Sequence, residues 1–328
     1  MLESPYCLRD STEMSIDPFS DILRLTSAEA VMTGGFSAGC DDWAISFPAK
    51  DKIKFFAIVT GSCWLLLEGE REPILFETGD VGLLAARRSF VVTNRPGVGP
   101  IDAMSLFSAP DCTTVKLGKG DAFSYIGGHV TVDPTRGRLL SEILPVWIHS
   151  RAAAPETATF RWLIDRLVVE KDTALHGSQL ASAQLTQLLF IQILRSHLNS
   201  SSHMPPGWLR ALADPRVAPA LRLMHGHPDR SWHLEELARS CAMSRTSFAL
   251  HFRNVAGVAP LTYLTEWRMR LAERALREEK TPVASVARSL GYTSESAFSN
   301  AFKRIIGISP KAYRTSLNVP GMQVASDD

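Results

Sequence analysis

Short apolar runs broken by glycine fill residues 44–92. The runs 53–59, 62–68 and 73–76 are punctuated by Thr60-Gly61, Glu68-Gly69-Glu70 and Thr78-Gly79-Asp80. Apolar runs this short and this evenly spaced predict antiparallel strands in a barrel or sandwich. Alternation along 55–67 sends either Phe55, Ala57 and Val59 or Phe56 and Ile58 inward, and both faces stay open at this point. Helical period takes over near residue 156, with Phe160, Leu163, Ile164, Leu167 and Val168 on one stripe. Residues 178–198 predict a second helix, apolar on more than one face through Leu185, Leu188, Leu189, Phe190, Ile191, Ile193 and Leu194. Such a helix needs cover on several sides, from its own domain or from a second copy. Near the N-terminus, Asp17-Pro18 caps a helix carrying Ile22, Leu23 and Leu25. Residues 199–207 are polar and helix-breaking, and read as a linker.

Beyond the linker the period is helical throughout. Ser231 is placed as the N-cap of a helix with Leu234, Leu237, Ala238 and Cys241, and Glu235 and Glu236 lie at the positive end of its dipole. A break at Cys241-Ala242-Met243 leads to Ser244, the cap of a helix carrying Phe248 and Phe252. Helix, tight turn and helix form a helix-turn-helix. The construction recurs with Val283, Val286 and Ala287, the turn Leu290-Gly291-Tyr292, the cap Ser294, and Ala297, Phe298, Ala301 and Phe302. Ala238, Phe248 and Phe252 map onto Ala287, Phe298 and Phe302 at offsets of 49 to 50 residues, an internal repeat. Between the units, Pro260 starts a long helix over 261–279 with stripes Leu264, Trp267, Leu271, Ala275 and Met269, Ala272, Leu276. At about 1.5 Å per residue it spans about 28 Å, near the ~34 Å between successive major-groove turns. Gly291 takes positive φ freely in its turn, whereas the matching Ala242 is strained there by about 1 kcal/mol.

Length and charge sharpen this division. At ~150 residues per domain, 328 residues suggest two domains, and 45% hydrophobic residues suffice for two cores. The formal charge of +1 conceals an asymmetry. Residues 205–315 hold seventeen basic and nine acidic residues, a net +8, whereas residues 1–204 hold eighteen and twenty-three, a net −5. A basic block beside an acidic one points to a polyanion partner for the C-terminal half only. No apolar run reaches the ~18 residues of a membrane span, and the first residues lack the basic start and apolar core of a secretion signal. Cys7, Cys40, Cys63, Cys112 and Cys241 form no CxxC pair, so reduced thiols and a cytoplasmic location are expected.

Leu237-Ala238, Met243-Ser244-Arg245, Phe248, Phe252, Gly257, Pro260 and Arg268-Met269 form one pattern with a second set of residues. That set is Val286-Ala287, Leu290-Gly291-Tyr292, Phe298, Phe302-Lys303, Gly307 and Ser309-Pro310-Lys311-Ala312-Tyr313-Arg314. In this pattern residues 234–314 resemble the DNA-binding domain of the AraC/XylS family of bacterial transcription regulators. Gly61-Ser62-Cys63-Trp64-Leu65, Gly79-Asp80 and Ser141-Glu142-Ile143-Leu144-Pro145 resemble the cupin-type regulatory domain of a subset of that family. The resemblance implies an α+β multidomain protein. Residues 1–14 are an extension and 15–200 a cupin-like antiparallel β-barrel with flanking helices, serving regulation or dimerisation. Residues 201–208 are a linker, 209–316 an all-α domain of two helix-turn-helix units joined by a long helix, and 317–328 a flexible tail. It further implies binding to double-stranded DNA, activation through RNA polymerase, a small-molecule effector and a homodimer.

Residues at the start of each second helix, opposite the phenylalanines, point toward the groove. These are Arg245, Thr246, Ser247, Ala249 and Leu250 in the first unit, and Glu295, Ser296, Ser299 and Asn300 in the second. Arg245 suits guanine or a phosphate, Asn300 adenine and Leu250 a thymine methyl. Arg253, Lys303, Arg304 and Arg288 are phosphate candidates. Family members often carry Arg at the positions of Leu250 and Asn300, so this chain is expected to lean on phosphates and DNA shape. In the N-terminal half, Trp43, Phe56, Trp64 and Arg88 are the candidate effector contacts, with core filling the alternative for the aromatics. Many cupins hold a metal, but alignment on Gly61 and on Gly79 with Asn94 puts Pro48, Lys50, Lys54 and Phe90 at the ligand positions. No metal, cofactor or catalytic residue is therefore expected. His129, His149, His176 and His197 show no ligand spacing. The alternatives are a cupin enzyme fused to a DNA anchor, and a redox-sensing regulator using Cys63 and Cys112.

Overall fold

The computed structural model describes residues 17–49, 52–85, 88–107, 114–131, 144–152, 157–173, 175–200, 204–278 and 281–317. The extension 1–14, Cys7, Lys50, Cys112, linker residues 201–203 and residues 318–328 lie outside the described residues. Two compact units emerge, one over Thr26–Met204 and the other from Pro205 onward. The first described helix, α1 (Pro18–Thr26), groups up to Leu25 with the C-terminal unit. Asp17 caps it, accepting from Phe19 N at 3.1 Å, and Asp21 Oδ2 lies 3.4 Å from His225 Nδ1.

The N-terminal unit carries β1 (Glu29–Ala38), β2 (Ala44–Phe47), β3 (Ile53–Thr60), β4 (Ser62–Leu67), β5 (Ile74–Glu77), β6 (Val81–Leu84) and β7 (Phe90–Thr93). After these come β8 (Ile101–Asp102), α2 (Ala103–Leu106), β9 (Thr114–Leu117), β10 (Phe123–Thr131), β11 (Trp147–Ser150), α3 (Thr157–Thr173) and α4 (Ser178–Ser200). The strands form two open sheets, β11-β6-β3-β10-β1-β9 and β5-β4-β7-β2-β8, not one closed antiparallel barrel. Two pairs, β1 with β9 and β2 with β8, run parallel. The physical reason lies at Gly61. There the chain turns with φ +83 against the Ala122 carbonyl, so β3 stays in one sheet and β4 enters the other instead of laddering back along β3.

Phe36, Trp43, Phe56, Phe76, Phe123 and Tyr125 fill the space between the sheets. Both candidate faces of β3 are buried. Phe56 and Ile58 enter the inter-sheet core, while Phe55 and Ala57 are sealed as well, with α3 and α4 packed on this six-stranded sheet. Gln187 of α4 clamps the start of β1, accepting from Ala30 N at 2.8 Å and donating to Ala28 O at 3.0 Å.

The C-terminal unit comprises α5 (Trp208–Ala213), α6 (Ala218–Gly226), α7 (Leu234–Ser240), α8 (Arg245–Ala256), α9 (Pro260–Glu278), α10 (Val283–Ser289), α11 (Glu295–Ile306) and α12 (Pro310–Leu317). Ser244 and Ser294 cap α8 and α11, each accepting at 3.2 Å from a backbone N–H three residues on. Both helices end on a left-handed glycine, Gly257 at φ 77 and Gly307 at φ 91. The cap of α7 is His233 rather than Ser231: Glu236 reaches back to accept from His233 N at 3.0 Å, and Ser231 stands too far upstream. Phe248 with Phe252, and Phe298 with Phe302, pack at ring distances of 5.6 and 5.7 Å. The stem α9 carries Tyr263 against Phe252 and Met269, Ala272 and Leu276 into the core of the second unit.

Candidate nucleic-acid interface

Two turns of the same handedness set up the second helix of each unit, α8 and α11. Ala242 has φ 52 and Gly291 φ 80, both in the left-handed region. The turn predicted to strain Ala242 therefore has that geometry. Following each turn, the exposure of residues 245–254 and 295–304 runs in the same order, position by position. Phe248, Phe252, Phe298 and Phe302 are buried, which pins the opposite face outward. Arg245, Thr246, Ser247, Leu250, Arg253, Glu295, Ser296, Asn300, Lys303 and Arg304 are all exposed, with Ala249 and Ser299 half-buried at the edge of that face. Arg288, on α10, is exposed as well.

Local contacts refine what each side chain offers. Ser247 accepts from Ser244 Oγ at 2.9 Å, and Ser296 lies 3.1 Å from Ser294 Oγ, so both hydroxyls are partly engaged at the caps. Arg245 stands 3.7 Å from Glu235, both well exposed, a pairing weak enough to yield to a phosphate or base. Leu250, 68% exposed, presents an isolated apolar surface in the middle of the first reading face. One anchor has no sequence signal: His251 Nε2 lies 2.8 Å from Asp214 Oδ2, holding α8 against the end of α5.

Of the four candidate effector contacts, Phe56 alone lines the apolar cleft between the sheets. It does so with Leu65, Phe76, Phe90 and Trp147, and the free volume of the cleft, mouth included, is about 220 Å³. Trp43 is packed into the core between Phe36 and Phe123, at 5.3 and 4.7 Å. Trp64 sits half-buried on β4, and Arg88 is engaged by Glu70 and by the Glu68 carbonyl, each at 3.2 Å. At the aligned cupin ligand positions, Lys54 Nζ donates to Pro48 O at 2.6 Å and lies 4.9 Å over the Phe90 ring. An ammonium, a prolyl residue and a phenyl ring supply no ligand set, so these residues do not fit a metal.

Asp80, which the sequence offers only as part of a motif, and His149, which shows no ligand spacing there, form a buried pair at 2.9 Å. Asp80 also accepts from Ala152 N at 2.7 Å and Glu77 N at 3.1 Å. Burial pushes its carboxyl up, but these hydrogen bonds together hold its pKa below the ordinary value. Cys63, paired with Phe76 across β4 and β5, is buried, and burial with the nearby Asp80 charge pushes its thiol up to about 12. A protonated, buried thiol is a poor redox nucleophile, which counts against Cys63 as a redox sensor.

Two helix-turn-helix units on one stem, attached to a double-sheet domain, define a DNA-binding transcription regulator. The cupin family model matches residues 17–199 and a helix-turn-helix domain model residues 237–316. An AraC-like transcription regulator of Streptomyces lividans is 37% identical over 93% of this chain and 100% of its own length. The HTH-type transcriptional regulator AlkR of Acinetobacter baylyi is 31% identical over 83% of this chain and 91% of its own. Among solved structures, the DNA-binding domain of AdpA in complex with a target DNA is 33% identical, covering 31% of this chain and 92% of that one, with a TM-score of 0.30. The chain belongs to the AraC-like family of transcription regulators, with a cupin domain ahead of its helix-turn-helix domain.

Proposed function

We propose that the protein is a dimeric, cytoplasmic transcription activator, without enzymatic activity, that reads two neighbouring major-groove segments of double-stranded DNA and engages RNA polymerase. The observation that carries this reading is the matched exposure of α8 and α11 on a shared stem. Arg245, Thr246, Ser247, Ala249 and Leu250 meet base edges in one segment, and Glu295, Ser296, Ser299 and Asn300 in the next. Arg253, Lys303, Arg304 and Arg288 meet phosphates. With Leu250 and Asn300 in place of arginine, affinity leans on phosphates and on DNA shape.

The N-terminal unit dimerises and answers a small apolar effector at the Phe56 cleft. Trp162 and Leu180, 54% and 68% exposed on α3 and α4, leave apolar surface suited to a second copy. The cleft encloses only about 10 Å³, far below the roughly 300 Å³ of a ligand pocket, so an effector entering it displaces Phe56 or Trp147 and thereby favours one conformation.

Sequencing genomic fragments bound by the full chain tests the reading. Discrete sites are expected, with recovery falling steeply as salt rises. Arg253→Ala and Lys303→Ala each lower the slope of log affinity against log salt by about 1. Uniform recovery of all fragments overturns specific reading, a flat salt response overturns the phosphate assignments, and a monomer in sedimentation velocity overturns the dimer.

A further inference from the structure

Ala242 and Gly291 occupy equivalent turns in equivalent left-handed conformations, yet only one of them is glycine. Conformation alone therefore does not demand glycine at the second turn. The difference lies in what surrounds it. A β-carbon on Gly291 would collide with the carbonyl oxygen of Asp229, so the backbone of the second turn rests directly on the loop that leads into the first unit.

That loop is held from a third side. Arg268, on the stem α9, donates from Nε to Pro228 O at 2.5 Å and from Nη2 to Arg230 O at 2.8 Å. Its guanidinium also lies 5.7 Å over the ring of Tyr292, the residue after Gly291. Trp232 Nε1 closes the same loop by donating to His227 O at 3.0 Å. One planar side chain thus ties the stem, the lead-in loop of the first unit and the turn of the second. A guanidinium fork satisfies two carbonyls and an aromatic face together, which an ammonium does not.

We infer that Arg268, which holds the carbonyls either side of Asp229 and lies over the ring next to Gly291, is a positioning residue that fixes the separation of the two reading helices and hence the number of base pairs between the two half-sites the protein selects. Arg268 touches no base in this role. It acts by preventing α8 and α11 from swinging independently about the stem. The inference rests on the proposal that both helices read bases.

Selection from a random 40-bp duplex pool with the full chain, followed by sequencing, tests it. The unaltered protein is expected to enrich a two-part motif at one separation. Arg268→Ala keeps both parts but spreads their separation over neighbouring spacings, and binds the best wild-type duplex about tenfold more weakly. Arg268→Lys, which preserves charge and stem packing without the fork, spreads the separation as well, and decides the matter if Arg268→Ala does not fold. A single, unchanged separation in a folded variant overturns the inference while leaving DNA reading intact. A one-part motif from the unaltered protein also overturns it. Enrichment of no motif at all sinks the reading of bases itself.

Discussion

His251 lies 2.8 Å from the Asp214 carboxylate, and this bond ties the middle of α8 to the residue that ends α5. Asp214 also accepts from Arg216 N at 2.8 Å, so one carboxylate organises both the turn after α5 and the seat of α8. Asp214→Ala is expected to destabilise the C-terminal unit by about 2 kcal/mol, the scale of hydrogen bonds to a charged, mostly buried group. Asp214→Asn, which can still accept from Arg216 N, should cost less. Urea unfolding of the full chain, followed by tryptophan fluorescence, measures both; equal stability of all three proteins would show that the pair carries no load.

Opposite substitutions at the two turns should have opposite effects. Ala242→Gly relieves a left-handed alanine costing about 1 kcal/mol, partly offset by the greater freedom of glycine when unfolded, so the melting temperature rises slightly. Gly291→Ala introduces the same strain and a collision with the Asp229 carbonyl, and lowers it substantially. Calorimetric melts of the two variants provide the comparison. A similar loss in both would contradict it.

The Asp80–His149 pair makes the N-terminal unit sensitive to acid. Because hydrogen bonding holds the folded carboxyl below its ordinary pKa, the unfolded chain binds the proton more readily. The stabilisation from the Asp80 carboxylate is therefore present above about pH 4 and is lost as pH falls through the lower folded value. Asp80→Ala, which removes one acceptor shared by His149 and two backbone N–H groups, is expected to cost on the order of 3 kcal/mol at neutral pH. Asp80→Asn should flatten the acid limb of the stability profile. Denaturant melts between pH 3 and 7 separate these outcomes.

Thiol accessibility divides the described cysteines. Cys40 is exposed, whereas Cys63 is buried with its thiol pushed up to about 12. Iodoacetamide at pH 8 should label Cys40 in the native protein and reach Cys63 only after denaturation, as read by peptide mass spectrometry. Rapid native labelling of Cys63 would restore it as a sensor.

Much of the C-terminal half was legible because its information is local. A cap such as Ser244 or Ser294, a turn two or three residues before it and paired phenylalanines four apart are all written within one or two helical turns. The repeat near 50 residues then doubled each of those signals. Ser231 shows where local propensity misleads: a good capping residue lost to His233 because Glu236 was placed to complete a reciprocal box. The site's supporting contacts were not legible. Asp214 meets His251 across 37 positions and Asp80 meets His149 across 69, separations at which no periodicity carries information.

Sequence by itself determined the two-part organisation, the helical repeat, the outward face of each reading helix and the opposed charges of the halves. Each follows from spacing, capping chemistry or composition, which are properties of neighbours along the chain. Tertiary structure decided that the strands divide into two open sheets at Gly61, that both faces of β3 are buried, and that α1 joins the C-terminal unit. It also decided that Gly291 must be glycine while Ala242 need not be. The turns have the same handedness, and only the carbonyl of Asp229, brought against one of them by folding, distinguishes the two.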